Sequence, residues 1–188
     1  MASANISQGT VTAIVAGTAV LLAACGTATS SDKPAAQPLP APLGSSNQVN
    51  GNDDSWGTKD DSFEGTVTVG ATPIVCAQLD GTRRLVFHVE VTASKGAVPT
   101  GYWQVQTENA IPIDNETLPT IDMVGPPLGS SVTGNAKGDI AFTVPPKTVP
   151  TSITLIGERK MFGATETGSI AQWNIGDLPP ATTCPASG

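Results

Sequence analysis

Residues 83–93, with the sequence RRLVFHVEVTA, carry the clearest secondary-structure signal in this chain. Their apolar side chains at every second position share one face: Leu85, Phe87, Val89 and Val91. The alternate positions carry mostly polar side chains, among them His88 and Glu90. A period of two is typical of a strand with one buried and one solvated face, so this stretch predicts a half-buried β-strand.

Seven further segments between residues 63 and 188 have the composition of short strands, and Gly and Pro separate them. They are 65–70, 72–79, 102–105, 120–124, 139–144, 152–156 and 169–175. Asp80-Gly81 between two of these segments is a strong turn signal. No segment in this region repeats its apolar residues with helical spacing. We therefore expect one all-β domain over residues 63–188, an antiparallel β-sandwich of about 7–8 strands.

Residues 11–24 form an uncharged apolar run. Its last residues and the cysteine that follows it read Leu22-Ala23-Ala24-Cys25. The run is shorter than the roughly 20 residues of a membrane-spanning helix and has the length of a signal h-region. Two small residues before a cysteine resemble the lipobox of bacterial lipoprotein precursors. This resemblance implies a signal peptide over residues 1–24 and a lipid on Cys25, which would hold the chain to a cell membrane.

The first ten residues differ from a typical export signal. Met1–Thr10 contains no Lys or Arg, whereas such signals carry positive charge there. Either the true start lies upstream or the α-amino group supplies the charge. An uncleaved anchor and a buried Ala/Val-rich helix remain as alternatives for the apolar run.

Residues 25–62 have the composition of a linker, rich in Ser, Pro, Asn and Asp. Such a segment buries too little apolar surface to offset the entropy of ordering it. We therefore predict a disordered tether over residues 25–62. Acidic residues cluster near its end, at Asp53, Asp54, Asp60, Asp61 and Glu64. They do not follow the spacing of a calcium loop, so we expect no metal there.

The charge balance argues against two classes of partner. The chain has 16 acidic and 9 basic residues and a formal net charge of −7. Nucleic-acid binding depends on neutralising phosphates with Lys and Arg, so we expect no nucleic-acid partner. Basic attraction to anionic lipid is equally unsupported, which leaves membrane attachment to the lipid on Cys25.

The chain has three cysteines, and the lipobox resemblance assigns one of them to the lipid. With Cys25 acylated, Cys76 and Cys184 remain. An even remainder in an oxidising extracytoplasmic space predicts one disulfide between Cys76 and Cys184. Two unrelated buried thiols are the alternative.

No arrangement of residues in the sequence indicates catalysis, a cofactor or a metal site. His88 is the only histidine, which excludes a site of several histidines, and no Gly-x-Ser-x-Gly motif supplies a nucleophile. Met123 and Met161 are soft copper ligands in principle, but packing is the better explanation for both. Trp103 and Trp173 are expected in the core. An exposed ring at Tyr102 would suit a protein or glycan partner.

Three segments resemble strands of the immunoglobulin-like, or telokin-like, sandwiches of secreted and lipid-anchored bacterial proteins. Residues 85–92 are similar to an early core strand, and residues 103–110 to the next. Residues 138–145, followed by 152–156, are similar to a late hairpin. One group in this family is a small immunogenic antigen secreted by mycobacteria. The resemblance implies the fold and an extracytoplasmic location, and it implies no catalytic residues.

These observations predict a lipid-anchored protein of the cell envelope, on the extracytoplasmic face of the cell membrane. We expect its immunoglobulin-like domain to bind a protein or an envelope ligand without catalysis. The alternative is an extracytoplasmic carrier that holds a small molecule or a metal inside or at the mouth of the sandwich. A hydrolase that uses paired carboxylates is a third hypothesis.

Overall fold

The computed structural model describes residues 39–51, 62–116, 125–161 and 164–183, with only the backbone at 159–161 and 164–166. Within these ranges, eight strands have four or more residues: β2 (Ser46–Gly51), β3 (Phe63–Val69), β4 (Ile74–Ala77), β5 (Arg83–Lys95), β7 (Trp103–Thr107), β10 (Asn135–Val144), β11 (Pro150–Met161) and β12 (Ala164–Asn174). Five more strands in the same described ranges have two residues each: β1 (Ala41–Pro42), β6 (Val98–Pro99), β8 (Ile113–Asp114), β9 (Ser131–Val132) and β13 (Thr182–Thr183).

The predicted all-β fold is confirmed, because the described residues contain strands and no helix. None of these residues belongs to a helix long and apolar enough to span a membrane. The signal segment 1–24, Cys25, the strand predicted at 120–124 and Cys184 lie outside the described residues.

Strand β5 is the centre of the six-stranded sheet. Strand β10 pairs with it from Arg83 to Thr92. On the other edge, β4 pairs with its first residues and β3 with its last ones. Strands β3 and β4 therefore lie end to end along β5, and the chain leaves that line between them, at residues 70–73. Strand β2 pairs with β3, and β13 with β4.

The five-stranded sheet has the order β1-β12-β11-β7-β8. The predicted late hairpin is wrong, since β10 pairs with β5 in one sheet while β11 pairs with β7 and β12 in the other. Pro145 and Pro146 end β10, and Lys147 has a positive φ of 65°. Proline donates no backbone hydrogen bond, so this segment carries the chain across to the second sheet. The hairpin in the structure is β11–β12.

The eight longer strands pair only in antiparallel fashion, as predicted. Two pairings at the sheet margins are parallel, β1 with β12 and β13 with β4. Each involves two residues. Strand β1 belongs to the first described segment and β13 to the last. The direction of each pairing therefore depends on how that segment reaches the edge of its sheet.

The core lies between the two sheets and contains the residues that the alternation predicted. The four alternating apolar residues of the segment 83–93 are buried: Leu85, Phe87, Val89 and Val91. Phe87 meets Phe142 edge to face at 5.9 Å between ring centroids. Trp103 and Trp173 are fully buried, and their ring centroids are 5.9 Å apart. The prediction that both tryptophans belong to the core is confirmed.

The predicted tether is wrong for residues 39–51. Strand β2 pairs with β3 at six positions, and Val49 is buried in the core. The Trp173 Nε1 group donates a hydrogen bond of 2.9 Å to the Ser45 carbonyl. Strand β2 buries Val49, its one large apolar side chain, and satisfies its backbone hydrogen bonds by antiparallel pairing with β3. The folded domain therefore begins before residue 63.

Candidate functional site

The interruption between β3 and β4 opens a depression on the outer face of the six-stranded sheet. Its volume is about 300 Å³. The described residues that line it come from β4, β5, β10 and two connecting segments: Thr72, Ile74, Val86, His88, Gly125 and Asp139. Because β5 and β10 form its floor, the depression is built on regular strands rather than on loops alone.

His88 and Asp139 form a hydrogen-bonded pair in this depression. They lie opposite each other in the register of β5 and β10, with His88 Nδ1 3.0 Å from Asp139 Oδ1. The Asp139 side chain is 5% exposed and that of His88 is 53% exposed. Toward an ionised Asp139, which can only accept a hydrogen bond, Nδ1 would be the donor. In the neutral ring, Nε2 then presents its lone pair outward.

A close backbone approach holds Asp139 in place. Its amide donates to the Pro126 carbonyl at 2.8 Å, and its carbonyl accepts from the Leu128 amide at 3.0 Å. A Cβ atom at Gly138 would lie 2.7 Å from the Leu128 backbone, and one at Gly125 would lie 3.0 Å from Asp139 Oδ2. Both glycines therefore allow the segment before β9 to lie against β10.

A second charged pair lies beside His88 on the same face. Lys137 Nζ is 2.6 Å from Glu90 Oε1. The hydrogen bond from Lys137 lowers the pKa of Glu90 below its ordinary value. Glu90 Oε1 is also 3.9 Å from His88 Nε2. The rim of the depression next to His88 therefore carries a charged carboxylate together with its cation.

The structure provides no metal-binding cluster within the described ranges. No three His, Cys, Asp or Glu side chains there are placed so that they could hold one metal ion. His88 has two carboxylates near it, but Asp139 is engaged at Nδ1. Met123 lies outside the described residues, as does the Met161 side chain. The expectation of no metal and no cofactor stays a prediction.

Tyr102 is half-buried on the outer face of the five-stranded sheet. Its hydroxyl donates to Asp114 Oδ1 at 3.2 Å and accepts from Gln104 Nε2 at 2.7 Å. Burial is the main reason that the pKa of Tyr102 is raised, and the negative charge of Asp114 adds to it. The predicted exposed anchor is therefore a ring already engaged with its neighbours. Its role toward a partner stays a prediction.

Arg84 forms an ion pair that the sequence did not indicate. Its Nε is 3.0 Å from Glu116 Oε1, and the Thr143 hydroxyl donates to the same oxygen at 2.6 Å. The Glu116 amide also donates to the Ala141 carbonyl at 2.8 Å. These contacts fasten the chain after β8 to β10, which is a structural role.

Three exposed apolar side chains lie on loops at one end of the sandwich, which we call the loop end. Leu79 is 110% exposed, Ile111 65% and Val149 47%. A Cβ atom at Gly81 would lie 3.7 Å from Pro146, which brings the first and third loops together. The Glu108 amide donates to the Val149 carbonyl at 3.0 Å and so joins the second loop to the third.

Cys76 is fully buried on β4. Thr182 and Thr183 of β13 lie opposite Cys76 and Ala77. Cys184 follows Thr183 in the sequence and lies outside the described residues. The pairing of Cys76 with Cys184 therefore stays a prediction.

Sequence comparisons provide no relative of this chain: no protein-family model and no curated protein matches it. In fold, the chain is similar to the crystal structure of MPT63, a secreted protein from Mycobacterium tuberculosis. The two are 15% identical with a TM-score of 0.48, over 74% of this chain and 98% of that one. At this level of similarity no site residue is carried over from MPT63.

Proposed function

We propose that this chain is a lipid-anchored protein of the cell envelope that works by binding a protein partner, without catalysis. Acylation of Cys25 would attach it to the extracytoplasmic face of the cell membrane. The sandwich would present the loop end to the partner. The exposure of Leu79, Ile111 and Val149 on three adjoining loops is the observation that carries this proposal.

The loop end has the chemistry of a protein-binding surface. Fully burying an aliphatic side chain of this size contributes about 1.5–3 kcal/mol. Adjoining exposed apolar side chains mark interaction sites more often than scattered ones do. Loops on a rigid scaffold are also where binding residues concentrate. The partner would offer an apolar pocket for these side chains.

The loops that carry these side chains are already ordered. Asp80 accepts hydrogen bonds from the Thr82 amide at 2.9 Å and the Thr82 hydroxyl at 2.6 Å, which lowers the pKa of Asp80. The Thr107 hydroxyl donates to the Ile111 carbonyl at 2.9 Å and accepts from the Ile111 amide. Because such loops lose little freedom on association, binding through them costs less entropy.

Replacing Cys25 by Ala is expected to move the protein from the membrane fraction to the soluble fraction and to abolish the incorporation of labelled palmitate. The reason is that two acyl chains anchor a protein stably, whereas one chain binds the membrane only marginally. The lipid that carries these chains would be attached through the Cys25 thiol. Thr27→Ala, two residues further on, is the matched control. Unchanged fractionation of the Cys25→Ala variant would contradict the lipid anchor.

The double change Leu79→Ser and Ile111→Ser is expected to weaken capture of a crosslinked envelope protein at least tenfold, since two apolar anchors of about 1.5 kcal/mol or more are lost. Leu39→Ser is the matched control, because Leu39 is equally exposed before β1 and not on these loops. Capture that is unaffected by the double change, or equally weakened by Leu39→Ser, would reject the loop end as the binding surface.

A further inference from the structure

We propose that the depression over His88 binds a small neutral molecule that is mainly apolar and donates one hydrogen bond to His88 Nε2. The site lies on the outer face of β5 and β10, and none of its lining residues belongs to the loop end. It therefore goes beyond the protein-binding function proposed above and does not depend on it.

The volume of the depression sets the size of the ligand. The volume of about 300 Å³ lies at the lower end of the range found for small-molecule sites. A site of this size suits a compact molecule such as a substituted phenol. Ile74 of β4, which is half-buried, provides apolar surface at its wall, and Val86, paired with it in the register of β5, is only 2% exposed. A ligand with a compact apolar body fits this surface.

The charges around the depression select against anions. Asp139 is buried at its floor, and Glu90 lies at its rim. Both carboxylates would repel a negatively charged ligand. A cation gains little, because Asp139 already accepts from His88 and Glu90 already pairs with Lys137. A neutral ligand avoids both costs.

His88 supplies the polar contact that orients the ligand. Its Nδ1 is committed to Asp139 at 3.0 Å, so the outward Nε2 of the neutral ring is an acceptor. The buried carboxylate fixes the orientation of the ring. A hydroxyl or N–H group on the ligand is the complementary donor, and apolar sites usually hold a few such orienting contacts.

Nuclear magnetic resonance of the full chain tests this proposal directly, because His88 is its only histidine and gives unambiguous imidazole signals. The probes are 4-ethylphenol and 4-ethylanisole, which share an apolar body and differ in the hydroxyl donor. We expect 4-ethylphenol to bind about three- to tenfold more tightly by calorimetry, the gain of one net hydrogen bond. We also expect it to produce saturable shifts of the imidazole signals.

Three variants complete the test. His88→Phe keeps a flat ring without the acceptor, so it should bind both probes with equal affinity. Thr72→Trp fills the depression from an exposed position and should bind neither. Thr92→Ala, on the same face of β5 and outside the lining, should behave like the parent chain. No binding of either probe, binding without preference, or binding that survives Thr72→Trp would each overturn the proposal.

Discussion

Replacing Trp173 by Ala is expected to lower the free energy of unfolding by about 3–5 kcal/mol, the usual cost of truncating a buried aromatic side chain. Trp173 is fully buried and packs against Trp103. Its indole also holds the Ser45 carbonyl, which joins the first described segment to the core. Urea unfolding followed by circular dichroism measures the change, since this signal does not depend on the tryptophan itself.

A second variant separates the two contributions of this side chain. Trp173→Phe keeps most of the apolar contact and removes the hydrogen bond to Ser45, so a smaller loss is expected. Leu39→Ser is the surface control, with a change within about 0.5 kcal/mol. A Trp173→Ala variant as stable as the parent chain would show that the two sheets do not pack through this residue.

A chain shortened to begin at Ser62 is expected not to fold cooperatively, whereas a chain that begins at Leu39 should be as stable as the full protein. The shorter chain lacks β2, which pairs with β3 at six positions and buries Val49. Losing these contacts and the Ser45 contact of Trp173 removes several kcal/mol from a stability of about 5–15 kcal/mol.

Thermal unfolding followed by circular dichroism distinguishes the two shortened chains. The chain from Leu39 is the matched control, because it removes only residues before the first described strand. A cooperative transition in the chain from Ser62, at the temperature of the control, would contradict the role of β1 and β2. It would restore the interpretation of residues 39–51 as part of a tether.

Alternation identified strand β5 correctly, because one of its faces is apolar. Leu85 to Val91 repeat with period two, and the structure buries this face. Strand β2 escaped detection, since Val49 is its only large apolar residue within a polar segment. Local composition cannot reveal a strand that forms because a neighbouring strand is already in place.

Pairing between distant segments was the least predictable part of the fold. The segments at 138–145 and 152–156 have strand patterns, and the resemblance to immunoglobulin-like sandwiches implied that they form a hairpin. The structure assigns them to different sheets. Loop length alone is compatible with both arrangements, and the choice depends on which partner strands bury the two apolar faces.

The candidate site was also predictable only in part from the sequence. His88 was identifiable as a strand residue on the polar face, and the structure leaves it half exposed. Its partner Asp139 lies 51 residues further along the chain. No local signal connects the two residues, and the same is true of Arg84 with Glu116. Their proximity arises from the register of β5 against β10 and from the path of the chain after β8.

Periodicity and apolar content are local properties, and they were enough to predict the fold class, the core tryptophans and the buried face of β5. The assembled structure was needed to show where the domain begins, which strands share a sheet, and which side chains surround His88. Those features depend on contacts between residues far apart in the chain, whose energies appear only when both sheets are assembled.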